Sequence, residues 1–335
     1  MYDIAAINFG ADPEFAVVNT ATGEAVPAHN FFPDKDHKLY PLRYSTGAAL
    51  FRDGYMVEIN MSPYTCRTHI LEEASVLFQE VRRRLPVGHR LLAVSAIPVK
   101  RADLVAAPAD VREFGCEPSL DAYTERKKYV NLDGVNHEWR YAGGHLHFSD
   151  TYGKNGLAHP EQHAHIIKRL DRFLGLPLSY IFDSPEQYMR RRYYGQAGEF
   201  RTQHYGEKQI GLEYRTPGPE MWNHWAFVSF AMGVARRVIQ QAQMFPLDIF
   251  PDDDVRGAIN EGIALERMVA ALPPMVNFYN FAVLGALRDL YRRDYARNLV
   301  EYPRGYGNLS ASFTEFANAD WKLRPLYHGL AIGAL

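Results

Sequence analysis

Cysteine is nearly absent: Cys66 and Cys116 are the only two in 335 residues. Two thiols make no disulfide framework and lack the paired spacing of a zinc site. Two free thiols in a reducing cytoplasm are the simpler reading, and a single Cys66–Cys116 bridge is the other. Long apolar runs are missing as well. No stretch reaches the ~20 residues needed to span a bilayer, and the opening "MYDIAAINFG" has neither the basic head nor the apolar core of a signal peptide. Charge of one sign is not in excess. Lys and Arg number 37 against 39 Asp and Glu, a net charge of −2, so no global basic field draws the chain to nucleic acid or membrane. Arginine gathers locally in "EVRRRL" and "YMRRRYYG", where acidic neighbours suggest solvated helix faces or anion contacts. There is no repeat, low-complexity tract or evident linker.

What is present is an ordinary globular composition, 47% hydrophobic and 23% charged. Short β-branched and aromatic runs bounded by turn formers predict strands at "EFAVVN", "MVEINM", "RLLAVSAIPV", "GGHLHFS" and "IGLEYRT". Helical spacing of Ile70, Leu71, Ala74, Leu77, Phe78, Val81 and Leu85 predicts a helix over "THILEEASVLFQEVRRRL". A second helix, "HPEQHAHIIKRLDRFLGL", opens at Pro160 and is expected to end near Gly175 and Pro177. After residue 220 the pattern becomes helical, in "MWNHWAFVSFAMGVARRVIQQAQMF", "DDDVRGAINEGIALERMVAAL" and "FYNFAVLGALRDLYRRDYARNLV". The stretch "YPRGYGNLSASFTEFANADW" reads as a tail without strong periodicity. The expectation is an α+β fold, an antiparallel sheet with packed helices over 1–225 and a helical C-terminal region over 226–335. The aromatic "MWNHWAFVSFAMG" is read as core packing in preference to a cap or an oligomer contact.

The strands carry more than fold information. Successive strand side chains point to opposite faces, so Glu58 alternates with Val57 and Ile59, His145 and His147 with Leu146 and Phe148, and Glu213 and Arg215 with Leu212 and Tyr214. Glu14 opens its strand after the Asp12–Pro13 turn. Taken singly, each of these is more often a solvated residue on a wet sheet face than a site. Together they would line one face with carboxylates, imidazoles and guanidiniums. Carboxylates set side by side need cations between them, and oxygen-rich ligation with an imidazole suits magnesium or manganese better than zinc. An arginine on that face calls for an anion, a phosphate being the natural one. His159, His163 and His165 are read as surface residues in or beside a helix, or else as a nickel- or zinc-binding run.

The runs "GADPEF", "DGYMVEIN", "GCEPSLDAYT", "YAGGHLHFS" and "YGQAGEFRTQHYGEKQIGLEYRTPGPEMW" resemble, in order, the motifs of the phage-type COOH–NH2 ligases, relatives of glutamine synthetase and glutamate–cysteine ligase. The resemblance runs from about Gly10 to Trp222 and is most specific at "GGHLHFS" and "YGQAGEFR…GLEYRTP". It implies a glutamine-synthetase-like catalytic sheet that binds ATP with Mg2+ or Mn2+. By position it makes Glu14, Glu58, His145 and Glu213 metal ligands. It makes His147 a contact of the nucleotide phosphates, and Arg201 and Arg215 the catalytic, phosphate-contacting arginines. The "EKQ" insertion and the lack of further clustered carboxylates depart from the pattern, although Glu117 and Asp121 stand where such groups would be sought.

The implied reaction is phosphoryl transfer from ATP to a carboxylate, then attack by an amine on the acyl phosphate. Its partners are small-molecule or peptide acids and amines in the cytoplasm, that of a host cell if the chain is phage-encoded. Related ligases often assemble as homo-oligomers, but nothing in these residues fixes a subunit number. The readings set against it are a metal-dependent hydrolase using His-x-His and a ligase-derived structural or binding protein, perhaps of a virion. Gly143 and Gly144 are expected to let the strand edge approach bulky ligands without a Cβ in the way.

Overall fold

In the computed structural model, the described residues are 7–41, 47–112, 114, 118–150, 156–205, 209–273 and 280–294. They form an α+β architecture in which every strand pairing among the described residues is antiparallel. The largest sheet has six strands in the order Ile7–Ala11, Leu146–Asp150, Gln209–Tyr214, Glu199–Tyr205, Ser119–Asp121 and Lys127–Lys128. A second sheet joins Ala25–Val26, Glu14–Asn19, Met56–Asn60 and Ala49–Asp53, with His89–Leu92 also paired to Glu14–Asn19. Trp139–Tyr141 and Ala96–Pro98 form a separate pair.

Alternation sets the faces of the large sheet. Leu146, Phe148 and Leu212 are buried in the core. Phe9 and Phe148 stand opposite each other on neighbouring strands, with ring centroids 5.5 Å apart edge to face. The opposite face, carrying His147 and Glu213, is turned to a cleft. Helix Arg67–Arg84 buries Ile70, Leu71, Ala74, Leu77, Phe78 and Val81, the stripe its spacing predicts. Helix Trp225–Gln240 is buried along almost its whole length, and Trp222 and Trp225 are core residues, as the aromatic run predicted.

Several expectations are corrected. The polar-faced strands do not share one sheet: Glu14 and Glu58 belong to the second sheet, His147, Glu213 and Arg201 to the first. The Asp12–Pro13 turn carries the chain between them, and Pro13, lacking an N–H, cannot extend the ladder of Ile7–Ala11. "RLLAVSAIPV" is two strands in different sheets. The second helix does not stop at Gly175. It passes through a π-turn at Asp171–Gly175, where the Leu176 N–H bonds to the Asp171 carbonyl, and runs on through Pro177 to Ile181. The widened turn leaves room for a proline ring that a regular α-turn would reject.

His163 is no surface residue. It is fully buried, with Nε2 bonded to the Leu157 carbonyl at 2.9 Å and Nδ1 to Thr202 Oγ1 at 3.0 Å. Arg190 and Arg191 of "YMRRRYYG" are also core groups, donating to the carbonyls of Thr216, Arg215 and Ile259. The Arg82–Arg84 run is exposed, with Arg83 and Arg84 paired to Glu80. Cys116, Glu117 and the tail after 294 lie outside the described residues. No helix among the described residues is long and apolar enough to cross a membrane.

Candidate functional site

Register builds the site. Gly10 pairs with His147, His147 with Glu213, and Glu213 with Arg201, so these four positions form one row across four adjacent strands. Cross-strand neighbours on one face lie about 5 Å apart at Cβ, which brings an imidazole, a carboxylate and a guanidinium into a single line. His145 and Arg215, two residues along their chains, extend the same face. All line a cleft of about 910 Å³, which Glu14, Glu58 and Asp53 enter from the second sheet. Every sequence-predicted site residue therefore borders one cavity.

Two acidic groups stand out within it. In the first, Asp12, His147 and Glu213 each offer a donor atom within 4.8 Å of the others. Asp12 Oδ1 lies 3.0 Å from His147 Nε2 and 3.2 Å from His145 Nδ1. Asp12 Oδ1 and His147 Nε2 are both buried without a hydrogen-bond partner, a condition that a cation between them would relieve. In the second, Glu14, Asp53 and Glu58 meet the same distance criterion, and Glu14 and Glu58 are direct cross-strand partners. Burial, reinforced by the Asp53 and Asp12 charges, pushes the Glu14 carboxyl up to about 8 against the pull of the Gly143 N–H. Burial and the neighbouring acids likewise push Glu58 well above the usual carboxylate range. Such a group holds protons in place of the cation it lacks.

The two histidines differ. His145 is buried, and its Nε2 shares a hydrogen bond with the Tyr194 hydroxyl. Its Nδ1 faces Asp12 and, at 3.4 Å, Glu213. Burial and the Arg215 charge push its affinity for a proton down. His147 shares a hydrogen bond between Nδ1 and the Tyr205 hydroxyl at 2.9 Å, which turns Nε2 toward Asp12. Burial opposes charge on His147, but the Asp12 carboxylate outweighs it and raises its proton affinity. The donor sets thus group His147, the expected phosphate contact, with the carboxylates, and leave His145, the expected ligand, tied to Tyr194.

The arginines frame Glu213. Arg215 is buried, pairs with Glu213, lies 3.7 Å from Glu199 and sits 5.0 Å over the Tyr194 ring. Arg201 is the more accessible, 3.7 Å from Glu213. Burial would raise the Glu213 carboxyl, but the Arg215 charge and the two imidazoles hold it below its ordinary value. Behind the sheet, Asp171 of the π-turn accepts from the Tyr214 hydroxyl at 2.7 Å and the Gly198 N–H at 2.6 Å, fixing the residues beside Glu213 and Glu199. Gly198 has φ +85°, a conformation glycine adopts without strain.

Gly143 and Gly144 make room for the protein itself, not for a ligand. A Cβ on Gly143 would fall 2.2 Å from His145 Nε2 and 2.3 Å from the Tyr194 hydroxyl, and one on Gly144 2.2 Å from the Gly218 carbonyl oxygen. Asp121 pairs with Glu199 at the far side of the sheet and binds its own turn through the Tyr123 N–H, so it serves locally. Asp12, Asp53, Tyr194 and Tyr205 were not among the predicted site residues. The signal for Asp12 was its two-residue spacing from both Gly10 and Glu14.

Comparison with known proteins gives a family. Residues 122–272 match the family described as phage phiEco32-like COOH.NH2 ligase-type 2. No curated protein sequence matches the chain. Among solved structures, the chain is similar to a bifunctional glutathione synthetase from Pasteurella multocida at 13% identity and TM-score 0.41, over 94% of this chain and 53% of that one. It is also similar to the ligase PafA, in complex with the prokaryotic ubiquitin-like protein Pup, at 10% identity and TM-score 0.38, over 93% and 66%. The chain thus spans about half the length of the glutathione synthetase.

Proposed function

We propose, for a chain that carries a COOH–NH2 ligase region over residues 122–272, that it joins a carboxylate to an amine at the expense of ATP, through an acyl phosphate. The observation that carries this reading is the row His147–Glu213–Arg201, set between two groups of cation-binding donors in one cleft. Carboxylates crowded at this density suit divalent ions with oxygen ligands, Mg2+ or Mn2+. Asp12, His147 and Glu213 would hold one ion, and Glu14, Asp53 and Glu58 another. Bound there, such ions screen the phosphate oxygens and act as Lewis acids on them.

The chain's own residues do the rest. A carboxylate is a poor electrophile, and a phosphoryl group in flight spreads negative charge over its oxygens. Arg201, at the accessible end of the row, meets that charge with a guanidinium already fixed by Glu213. Arg215, buried between Glu213 and Glu199, adds a second positive charge without having to reorganise. Tyr194 and Tyr205 hold the two imidazoles in fixed orientations. The amine then displaces phosphate from the acyl phosphate, forming the amide.

The test is incubation with ATP, Mg2+ and pooled carboxylates, with hydroxylamine as a surrogate amine. Hydroxamate and inorganic phosphate in equal amounts are expected, both lost without ATP. Product formed without ATP would favour a metal-dependent hydrolase and overturn this reading.

A further inference from the structure

The cleft contains one buried cation that no carboxylate balances. Arg140, in the middle of Trp139–Tyr141, reaches the cavity from the small two-stranded sheet, a different wall from Arg201 and Arg215. It is 5% exposed. Its guanidinium donates to the carbonyls of His137 at 2.7 Å, Trp139 at 2.9 Å and Gly134, and lies 4.4 Å over the Phe114 ring. Its Nε is buried without an acceptor, and among the described residues it pairs with no Asp or Glu. The other cleft arginines differ, for Arg52, Arg201 and Arg215 each face a carboxylate.

A buried guanidinium compensated only by dipoles is costly to the fold. Burial pushes Arg140 down to about 10, with the neighbouring Tyr55 and Tyr141 opposing. The walls around it offer no competing polar group. The Tyr55 hydroxyl donates to the Ala25 carbonyl, and the Tyr141 hydroxyl is bonded to His137 Nε2 at 2.8 Å. Phe114 and Val130 complete an apolar surround.

We propose that Arg140 anchors a carboxylate of the substrate that takes no part in bond formation, its stem lying against Phe114 and Tyr141. The assignment to a substrate rests on the ligase reading, in which Arg201, Arg215 and the ion sites already meet the phosphates. A second anion at Arg140 then points the reacting end of the molecule toward the opposite wall. The carboxylate belongs either to the acid substrate, which is then a diacid, or to the amine, which is then an amino acid.

The probes are glutarate against valerate for the acid and β-alanine against propylamine for the amine. Each is titrated calorimetrically into the full chain with Mg2+ and the non-hydrolysable ATP analogue AMP-PNP. The wild type is expected to bind one member bearing the extra carboxylate at least tenfold more tightly than its counterpart, and the pair that shows this identifies the substrate. Arg140→Gln should reduce the preference to less than twofold and Arg140→Lys should keep part of it, both with unchanged AMP-PNP binding. No preference in the wild type for either pair overturns the proposal, whatever the variants do. So does a preference that survives in Arg140→Gln, or a parallel loss of AMP-PNP binding, which would make Arg140 a nucleotide contact. If the wild type keeps the preference but fails to bind AMP-PNP, the ligase reading falls and the anion anchor stands.

Discussion

His147 and Glu213 face each other as direct partners on adjacent antiparallel strands, and Asp12 closes the gap beside them. A carboxylate–imidazole–carboxylate group of this kind is a cation site before it is anything else. His147→Ala should therefore weaken Mn2+ binding by more than the 10–100-fold typical of an outer-shell loss, with phosphate release lost in parallel. His145→Ala should weaken it less. Electron paramagnetic resonance titration of Mn2+ gives the order, and the reverse order would return the ligand role to His145.

Tyr205 acts through His147. Tyr205→Phe removes the hydroxyl from Nδ1 while keeping the ring, so Mn2+ affinity should fall by roughly 10–100-fold. The urea midpoint should hardly change. A fall in stability with intact metal affinity would show the tyrosine to be a packing residue only.

Gly144→Ala drives a methyl into the Gly218 backbone, which cannot swing away as a side-chain end can. Overpacking of this kind costs about 1–3 kcal/mol. Gly10→Ala is the control, because its Cβ would lie 3.6 Å from His147 Cβ, an ordinary contact. Chemical denaturation of the two variants should separate them by at least about 1 kcal/mol.

Glu220 supplies a pH signature away from the ion sites. It is buried, and accepts from the Ser95 N–H at 2.7 Å, the Ser95 hydroxyl and Gln187. Burial pushes its carboxyl up to about 7 from 4.5. The folded chain therefore holds this proton more tightly than the unfolded one. The resulting stability is complete below about pH 4.5 and is lost as pH rises to about 7, a total of about 3 kcal/mol. The stability of the wild type minus that of Glu220→Gln should fall across this window. A flat difference would show that burial does not control Glu220.

Alternation exposed much of the site in the sequence because a strand face is a local property. The spacing of His147 from Leu146 and Phe148, or of Glu213 from Leu212 and Tyr214, needs no knowledge of the rest of the chain. Asp12 and Asp53 were hidden by their neighbours: Asp-Pro and Asp-Gly already have a sufficient explanation as turns. Arg190 and Arg191 look like a solvated run, since the carbonyls that satisfy them come from Thr216, Arg215 and Ile259, far along the chain. His163 was misread for the same reason, its partner Thr202 lying in another element. Two sheets could not be told from one because alternation fixes the face of a residue but not the neighbour of its strand.

That division between sheets has a mechanical consequence. Glu14 and Glu58 hang from one sheet, and His147 and Glu213 from the other, with Asp12 on the short turn that joins them. Divalent cations seated among these groups would act as rivets across the seam. Heat resistance of the whole molecule should then climb with manganese concentration long before any substrate is supplied.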